Sequence, residues 1–160
     1  MNKFIVVCRF LLPLFPETRC FGLKRMLLRL AGVYVGDNVR ICSSVRILGS
    51  KRLHIGCNTW IGPETMLAVF DDIIIGDNVN IAPRCYIGTG THFIEPDGIS
   101  IAGKGKTSPI IVKDGSWLCV GVILLPGTII KEKAVVAAGS TVKGEVQEYE
   151  IVGSGLANHV

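Results

Sequence analysis

Residues 75–92, IGDNVNIAPRCYIGTGTH, contain a six-residue repeat that decides the fold. Aliphatic residues lie six apart there, and the spacing returns after an interruption: Ile75, Ile81, Ile87, then Val112, Leu118, Leu124, Ile130, Val136 and Val142. Four residues after most of them comes a small or β-branched residue: Val79, Cys85, Thr91, Ser116, Val122, Thr128, Ala134 and Ser140. Each hexad can bury these two side chains only if neighbouring hexads stack on it. The repeat therefore predicts a solenoid.

A longer period precedes the interruption. Val35, Ile55 and Ile75 open three segments of twenty residues, VGDNVRI, IGCNTWI and IGDNVNI. Each segment is three hexads plus two residues, which predicts a triangular coil with a bulge at one corner. After the interruption the spacing is eighteen, so 112–129 and 130–147 are predicted to be plain coils. Stacked coils of this kind give three parallel sheets around a prism.

The segments outside the repeat complete the domain organisation. Leu23, Met26, Leu27 and Leu30 have helical spacing, with basic residues opposite, which predicts a helix over 18–31. Because the end of a solenoid exposes backbone and interior, we expect this helix to cap the first coil. The predicted organisation is a helical cap at 1–34, coils at 35–147 with an extruded loop at 93–109, and a C-terminal extension at 148–160.

Residues 4–15, FIVVCRFLLPLF, are apolar but too short to span a bilayer. They either cover the open first coil or anchor the chain at a membrane surface, helped by Arg19, Lys24, Arg25 and Arg29. Residues 1–30 are thus a candidate segment for peripheral membrane contact.

Composition limits the class of protein. A chain of 160 residues with 49% hydrophobic residues and 19 Gly is expected to form one domain rich in β-structure and turns. The net charge of +4 is spread without a basic run, which disfavours nucleic acid as a partner. Six cysteines without a CxxC pair indicate reduced packing residues, and so the cytoplasm, with the inner face of the membrane as the alternative location.

The hexads resemble those of the hexapeptide-repeat acyltransferases, over about residues 35–155. The resemblance is strongest in 75–92 and in GSWLCVGVILLPGTIIKEKAVVAAGSTV at 115–142, which are similar to acetyl-CoA-dependent O-acetyltransferases that act on sugars and polysaccharides. It implies an all-β fold, a left-handed parallel β-helix, assembled as a homotrimer.

The same resemblance implies that His92 is the catalytic base. In the family a histidine stands where the extruded loop leaves the coil and takes the proton of the acceptor hydroxyl, a task that suits the pKa of imidazole. His54 and His159 are interpreted as structural.

Acidic residues are candidates for binding the acceptor. Asp72 lies twenty residues before His92, so the period predicts that the two stack about 4.8 Å apart. The chain resembles galactoside acetyltransferases at VFDDIIIGD, where their acceptor-binding aspartate matches Asp72, although a solvated corner aspartate is the alternative. Their acceptor-binding asparagine falls near Glu64. Glu95 and Asp97 are alternative partners for His92.

Acetyl-CoA would need a groove of small residues with backbone donors. The resemblance places it along Trp117, Val120 and Ala138, although Trp117 is alternatively a residue of the outward column that contains Trp60 and Asn80. Lys143-Gly144 matches a Thr-Lys pair of the family with the lysine moved by one position.

The family's tail ends in Gly-Asn-Pro-Ala followed by a basic residue, whereas residues 153–158, GSGLAN, lack the proline and the basic residue. The resemblance therefore leaves the 3′-phosphate to Lys104 or Lys106, or weakly held. The three histidines lack the spacing of the zinc carbonic anhydrases with the same fold, so no metal is expected.

The function implied is transfer of acetyl from acetyl-CoA to a hydroxyl of a sugar or polysaccharide precursor, by direct attack in a ternary complex. Serine and chloramphenicol-type xenobiotics are the alternative acceptors. A scaffold that uses its flat faces only for assembly is the alternative without catalysis.

Overall fold

Three parallel sheets form the walls of a solenoid. The computed structural model describes residues 11–49 and 52–153. In stacking order, the first sheet contains Tyr34–Val35, Leu53–Ile55, Ile73–Ile75, Ile110–Val112, Ile129–Ile130 and Glu145–Val146. The second contains Arg40–Ile41, Trp60–Ile61, Asn80–Ile81, Trp117–Leu118, Val135–Val136 and Ile151–Val152. The third contains Arg46–Leu48, Met66–Ala68, Tyr86–Gly88, Ile123–Leu124 and Thr141–Val142. The predicted solenoid with three parallel sheets is confirmed.

The repeated aliphatic residues fill the interior of the prism. Every one of them from Ile75 to Val136 is at most 2% exposed, and Val142 is half-buried near the end of the solenoid. The small residues between them are buried as predicted, with one exception. Thr91 is exposed, and Thr89 is the buried residue in its place, because the chain has already left the coil at Gly90. The prediction for Thr91 was wrong.

The register of the sheets follows the predicted period up to the last coil. Ile55 pairs with Ile75, twenty residues on, and Val112 pairs with Ile130, eighteen residues on. Ile130 then pairs with Val146, only sixteen residues on, so a second plain coil over 130–147 was wrong. The chain turns there at Gly144, whose φ of +98° lets it pass from the third sheet to the first through a shortened corner. The coils continue to Val152, beyond 147.

An antiparallel ribbon stands out from the solenoid where the chain passes from the third sheet to the first. Its strands are Gly90–Ile94 and Ala102–Thr107, and they pair His92 with Gly105. The sequence indicated only an irregular loop at 93–109, because the ribbon is exposed and has no buried face to give it a period. A Cβ on Gly90, its first residue, would lie 2.8 Å from the exposed ring of Phe70, so a larger residue there would have to displace that ring.

The predicted helix is present as α1, Phe21–Leu30, after a 3₁₀ turn at Leu12–Leu14. Its side facing the first coil mixes charged and apolar residues, while several of its large apolar residues face outward. Lys24 and Leu28 are fully buried against the first coil, while Leu23, Met26 and Leu30 are exposed. Among the described residues, no helix is long and apolar enough to cross a bilayer.

Candidate active site

A cleft of about 300 Å³ lies between the base of the ribbon and Phe70. Thr91 and His92 line it from one ribbon strand, and Lys106 and Thr107 line it from the other. An exposed imidazole and an ammonium group therefore share one opening, at the corner between the third and first sheets.

The ribbon orients the imidazole of His92 through a backbone contact. Its Nδ1 lies 2.8 Å from the carbonyl oxygen of Gly103. A carbonyl oxygen can only accept, so this contact requires a proton on Nδ1. In the neutral ring the lone pair is then on Nε2, which leaves that atom available as a base.

Glu95 contacts the ribbon strand opposite His92. Its Oε1 accepts a hydrogen bond from the backbone N–H of Lys104 at 3.2 Å. Its carboxylate also packs on Gly103, where an added Cβ would lie 2.1 Å from Glu95 Cδ. Glu95 thus supports the residue whose carbonyl faces His92.

The expected stacking of Asp72 on His92 was wrong. Ile73 pairs with Ile110, and the N–H of Ile110 donates to the carbonyl oxygen of Asp72 at 2.9 Å, so residue 109 follows Asp72 in the next coil. The twenty-residue period ends where the ribbon begins, and it cannot be extended to residue 92. The carboxylate of Asp72 accepts from Arg52 Nε at 2.9 Å.

Asp71 is the residue that sequence reasoning missed. The hydroxyl of Thr107 donates to its Oδ2 at 2.9 Å, and Arg52 lies 2.7 Å from Oδ1. The backbone N–H of Asp72, the Thr107 hydroxyl and the Arg52 guanidinium together hold the pKa of Asp71 below its usual value. Asp71 therefore ties the end of the ribbon to the preceding coil. The acidic pair in VFDDIIIGD is the signal in the sequence, although the resemblance there points only to its second member.

Glu64 lies on another edge of the prism, between the second and third sheets. It has a φ of +60°, and its Oε2 accepts from Arg84 Nε at 2.7 Å. It does not line the cleft that contains His92.

Two of the residues predicted to bind acetyl-CoA, Val120 and Ala138, lie along that same edge, and Trp117 lies in the adjoining strand of the second sheet. Trp117, which is 51% exposed, pairs with Asn80, and Asn80 pairs with Trp60, so the predicted column is confirmed. The N–H of Gly139 donates to the carbonyl oxygen of Val120 at 2.9 Å, which places Val120 and Ala138 at the same corner of adjacent coils.

The predicted phosphate-binding lysines lie near the edge between the third and first sheets. Lys104 and Lys106 are exposed on the ribbon, and Lys106 Nζ lies 4.9 Å from the centroid of the Phe93 ring. Lys143 is exposed and lines a cleft of about 260 Å³ beside Gly144. The tail from residue 154, with His159, lies outside the described residues. Within the described ranges, no group of three His, Cys, Asp or Glu side chains could hold a metal ion.

The chain is similar in sequence to known acetyltransferases. WcaF of Escherichia coli (strain K12), provisionally named a colanic acid biosynthesis acetyltransferase, is 33% identical over 119 residues, 74% of this chain and 63% of WcaF. The galactoside O-acetyltransferase of Lactococcus lactis subsp. lactis (strain IL1403) is 31% identical over 100 residues, 62% of this chain and 48% of that enzyme. The chain thus spans less than two thirds of the length of these relatives. No family model matches it.

Solved structures share the architecture. A hexapeptide-repeat acetyltransferase of Vibrio cholerae O1 biovar eltor, crystallised with acetyl-CoA, has a TM-score of 0.83 and 22% identity, covering 96% of this chain and 81% of that one. Together with the three sheets and their period, this likeness identifies the chain as a hexapeptide-repeat β-solenoid, similar in sequence and in fold to the acetyltransferases of that family.

Proposed function

We propose that the protein is an acetyl-CoA-dependent O-acetyltransferase acting on a hydroxyl of a sugar or polysaccharide precursor. Its similarity to WcaF and to galactoside O-acetyltransferase supports the reaction and the class of acceptor. The observation that carries the proposal is the exposed His92 in the ribbon cleft, with Nδ1 directed at the Gly103 carbonyl.

In the proposed reaction, Nε2 of His92 takes the proton of the acceptor hydroxyl as its oxygen attacks the thioester carbonyl of acetyl-CoA. The bond from carbon to sulfur breaks, and the imidazolium returns the proton to the departing CoA sulfur. General-base catalysis of this kind contributes a factor of about 10² to 10⁴ in rate. Asp72, Glu64 and Glu95 are the proposed acceptor contacts, with Glu95 close to the ribbon strand that orients the base.

Binding of the donor is proposed along the edge between the second and third sheets. The exposed Trp117 and the adjacent corners at Val120 and Ala138 would bind the pantetheine arm. Lys143 with Gly144, and Lys104 or Lys106 on the ribbon, would bind phosphates through charge-assisted hydrogen bonds.

The separation of these two groups of residues supports a homotrimer. His92 stands at the corner between the third and first sheets, whereas Val120 and Ala138 stand at the corner between the second and third sheets. These are different edges of one prism. A threefold assembly would bring the ribbon of one copy beside the edge between the second and third sheets of its neighbour. Each site would then be complete. We place the trimer in the cytoplasm or at the inner face of the membrane, with residues 1–30 as the contact segment.

Release of CoA thiol from acetyl-CoA tests the proposal. The full chain is assayed with galactosides, other sugars, serine and chloramphenicol as acceptors. Acceptor-dependent release with a sugar is the expected result. Release only with serine or chloramphenicol would overturn the class of acceptor, and no release with any hydroxyl compound would overturn the activity.

A further inference from the structure

The outward face of α1 is apolar. Leu23 is 42% exposed, Met26 is 49% exposed and Leu30 is 66% exposed, and Leu14 in the preceding turn is 77% exposed. We call these four residues the outer face. An amphipathic helix of a globular protein ordinarily turns such residues to the core.

Basic side chains of α1 reach the first coil and bind its carbonyls. Lys24 Nζ donates to the carbonyl oxygen of Ile41 at 3.2 Å, and Arg25 Nη1 donates to that of Val39 at 3.0 Å. Arg29 Nε donates to the carbonyl oxygen of Val35 at 2.8 Å. These carbonyls belong to the first coil of the described residues, whereas in later coils the amides of the preceding coil donate to the equivalent carbonyls. The cations take the place of those amides, and their position forces the apolar residues outward.

Net charge is concentrated at this end of the chain. Residues 1–49 contain eight Lys and Arg against two Asp and Glu, which gives +6. Residues 50–160 contain nine against eleven, which gives −2. Three basic side chains of residues 1–49 are exposed to solvent, those of Arg19, Arg40 and Arg46. An apolar face within a positively charged end of the molecule is complementary to an anionic lipid surface.

We propose that the outer face docks on the surface of a bilayer that contains anionic lipids. Leu23, Met26 and Leu30 would enter the boundary between headgroups and acyl chains, with α1 parallel to the surface. Exposed arginines of the first coils would attract the headgroups. The inference deepens the proposed membrane contact of residues 1–30 by naming the face and the lipid charge, and it does not depend on acetyl transfer.

Vesicle flotation of the purified full chain tests the docking. We expect the protein to float with vesicles of phosphatidylcholine and phosphatidylglycerol, less with phosphatidylcholine alone, and less at high salt. Leu23→Gln/Met26→Gln/Leu30→Gln should lower the partition into anionic vesicles at least tenfold. The control Ile123→Gln/Ile151→Gln, which changes exposed apolar residues of the sheets, should float like the parent protein.

Three further readouts decide the interpretation. Thermal melting of the triple variant should match that of the parent, because its three side chains lie outside the core, and CoA release with a soluble acceptor should persist. Equal flotation of the triple variant and the parent would overturn the proposal, as would failure of the parent to float. A change in oligomeric state by light scattering would assign the face to contact between copies instead, which also overturns it.

Discussion

His92 Nδ1 and the carbonyl oxygen of Gly103 lie 2.8 Å apart across the ribbon. A backbone carbonyl therefore orients the imidazole, whereas the sequence suggested a carboxylate partner, which would be Asp72, Glu95 or Asp97. A backbone acceptor fixes the ring and its tautomer without adding a negative charge next to the imidazole. The geometry of the proposed base therefore depends on the position of one ribbon strand.

Gly103→Ala should displace the exposed Glu95 side chain and its hydrogen bond with the Lys104 N–H on that strand. The new Cβ would lie 2.1 Å from Glu95 Cδ, so either the side chain or the strand must shift. We expect kcat to fall about tenfold, since misplacement of a base by a fraction of an ångström is costly, with the KM for acetyl-CoA unchanged. The double variant Gly103→Ala/Glu95→Ala removes the clash and should recover most of the lost kcat. Absence of recovery would contradict the packing of Glu95 on Gly103.

Asp71→Asn should change how stability depends on pH. The pKa of Asp71 is lowered in the folded chain by the Asp72 N–H, the Thr107 hydroxyl and Arg52. The ionised carboxylate therefore stabilises the fold fully above its ordinary pKa of 3.8, and this contribution is lost as the pH falls through the lowered value. Urea midpoints measured from pH 6 downward should show a steeper acid loss for the parent than for Asp71→Asn. Asp97→Asn controls for removal of a surface carboxylate, and parallel curves for Asp71→Asn and the parent would refute the argument.

Lys24→Met should destabilise the N-terminal end of the solenoid. Lys24 is fully buried, its pKa is lowered by burial, and it donates to the carbonyl oxygens of Pro16, Glu17 and Ile41. Methionine fills the space but leaves a buried carbonyl without its donor, at a cost of about 1–3 kcal/mol. The free energy of unfolding in urea measures this loss. Lys113→Met, at an exposed position, is the control. Equal stability of the two variants would show that the cap does not need the ammonium group.

The cysteines should differ in reactivity as their burial differs. Burial raises the pKa of the Cys85 thiol to about 11, so at pH 8 about one thiol in a thousand is ionised. Cys20 is exposed at the N-terminal end of α1. Iodoacetamide at pH 8, followed by peptide mass spectrometry, should label Cys20 within minutes and Cys85 only after unfolding in urea. Comparable labelling of both in the folded protein would be inconsistent with the buried position of Cys85.

The repeated residues of the sequence predicted the fold of the solenoid. The six-residue spacing from Ile75 to Val136 predicted the sheets and the interior, because each coil must bury the same positions. The prediction failed where the chain leaves the coil. Thr91 continues the spacing in the sequence, but the ribbon begins at Gly90, and because of the same departure residue 109, and not His92, follows Asp72 in the next coil.

Two further features depended on contacts that have no periodic signature. The shortened corner at Gly144 follows from one residue with positive φ, and the sequence around it still resembled a hexad. The outward position of several apolar residues of α1 follows from carbonyls at the open first coil, and the spacing of Leu23, Met26 and Leu30 indicates an apolar stripe without indicating which side meets the core. The contact of Asp71 with Thr107 joins residues on either side of the ribbon, 36 positions apart in sequence.

Turnover by His92→Ala is the decisive measurement for the proposed role of His92 as the general base. CoA release is measured with the best sugar acceptor for the parent, His92→Ala and the control His54→Ala, whose ring stacks on Tyr34 in the first sheet. Binding of CoA is measured calorimetrically for all three. We expect His92→Ala to lose a factor of about 10² to 10⁴ in kcat while it binds CoA like the parent, and His54→Ala to retain turnover. Undiminished turnover by His92→Ala would contradict the assignment of His92 as the base.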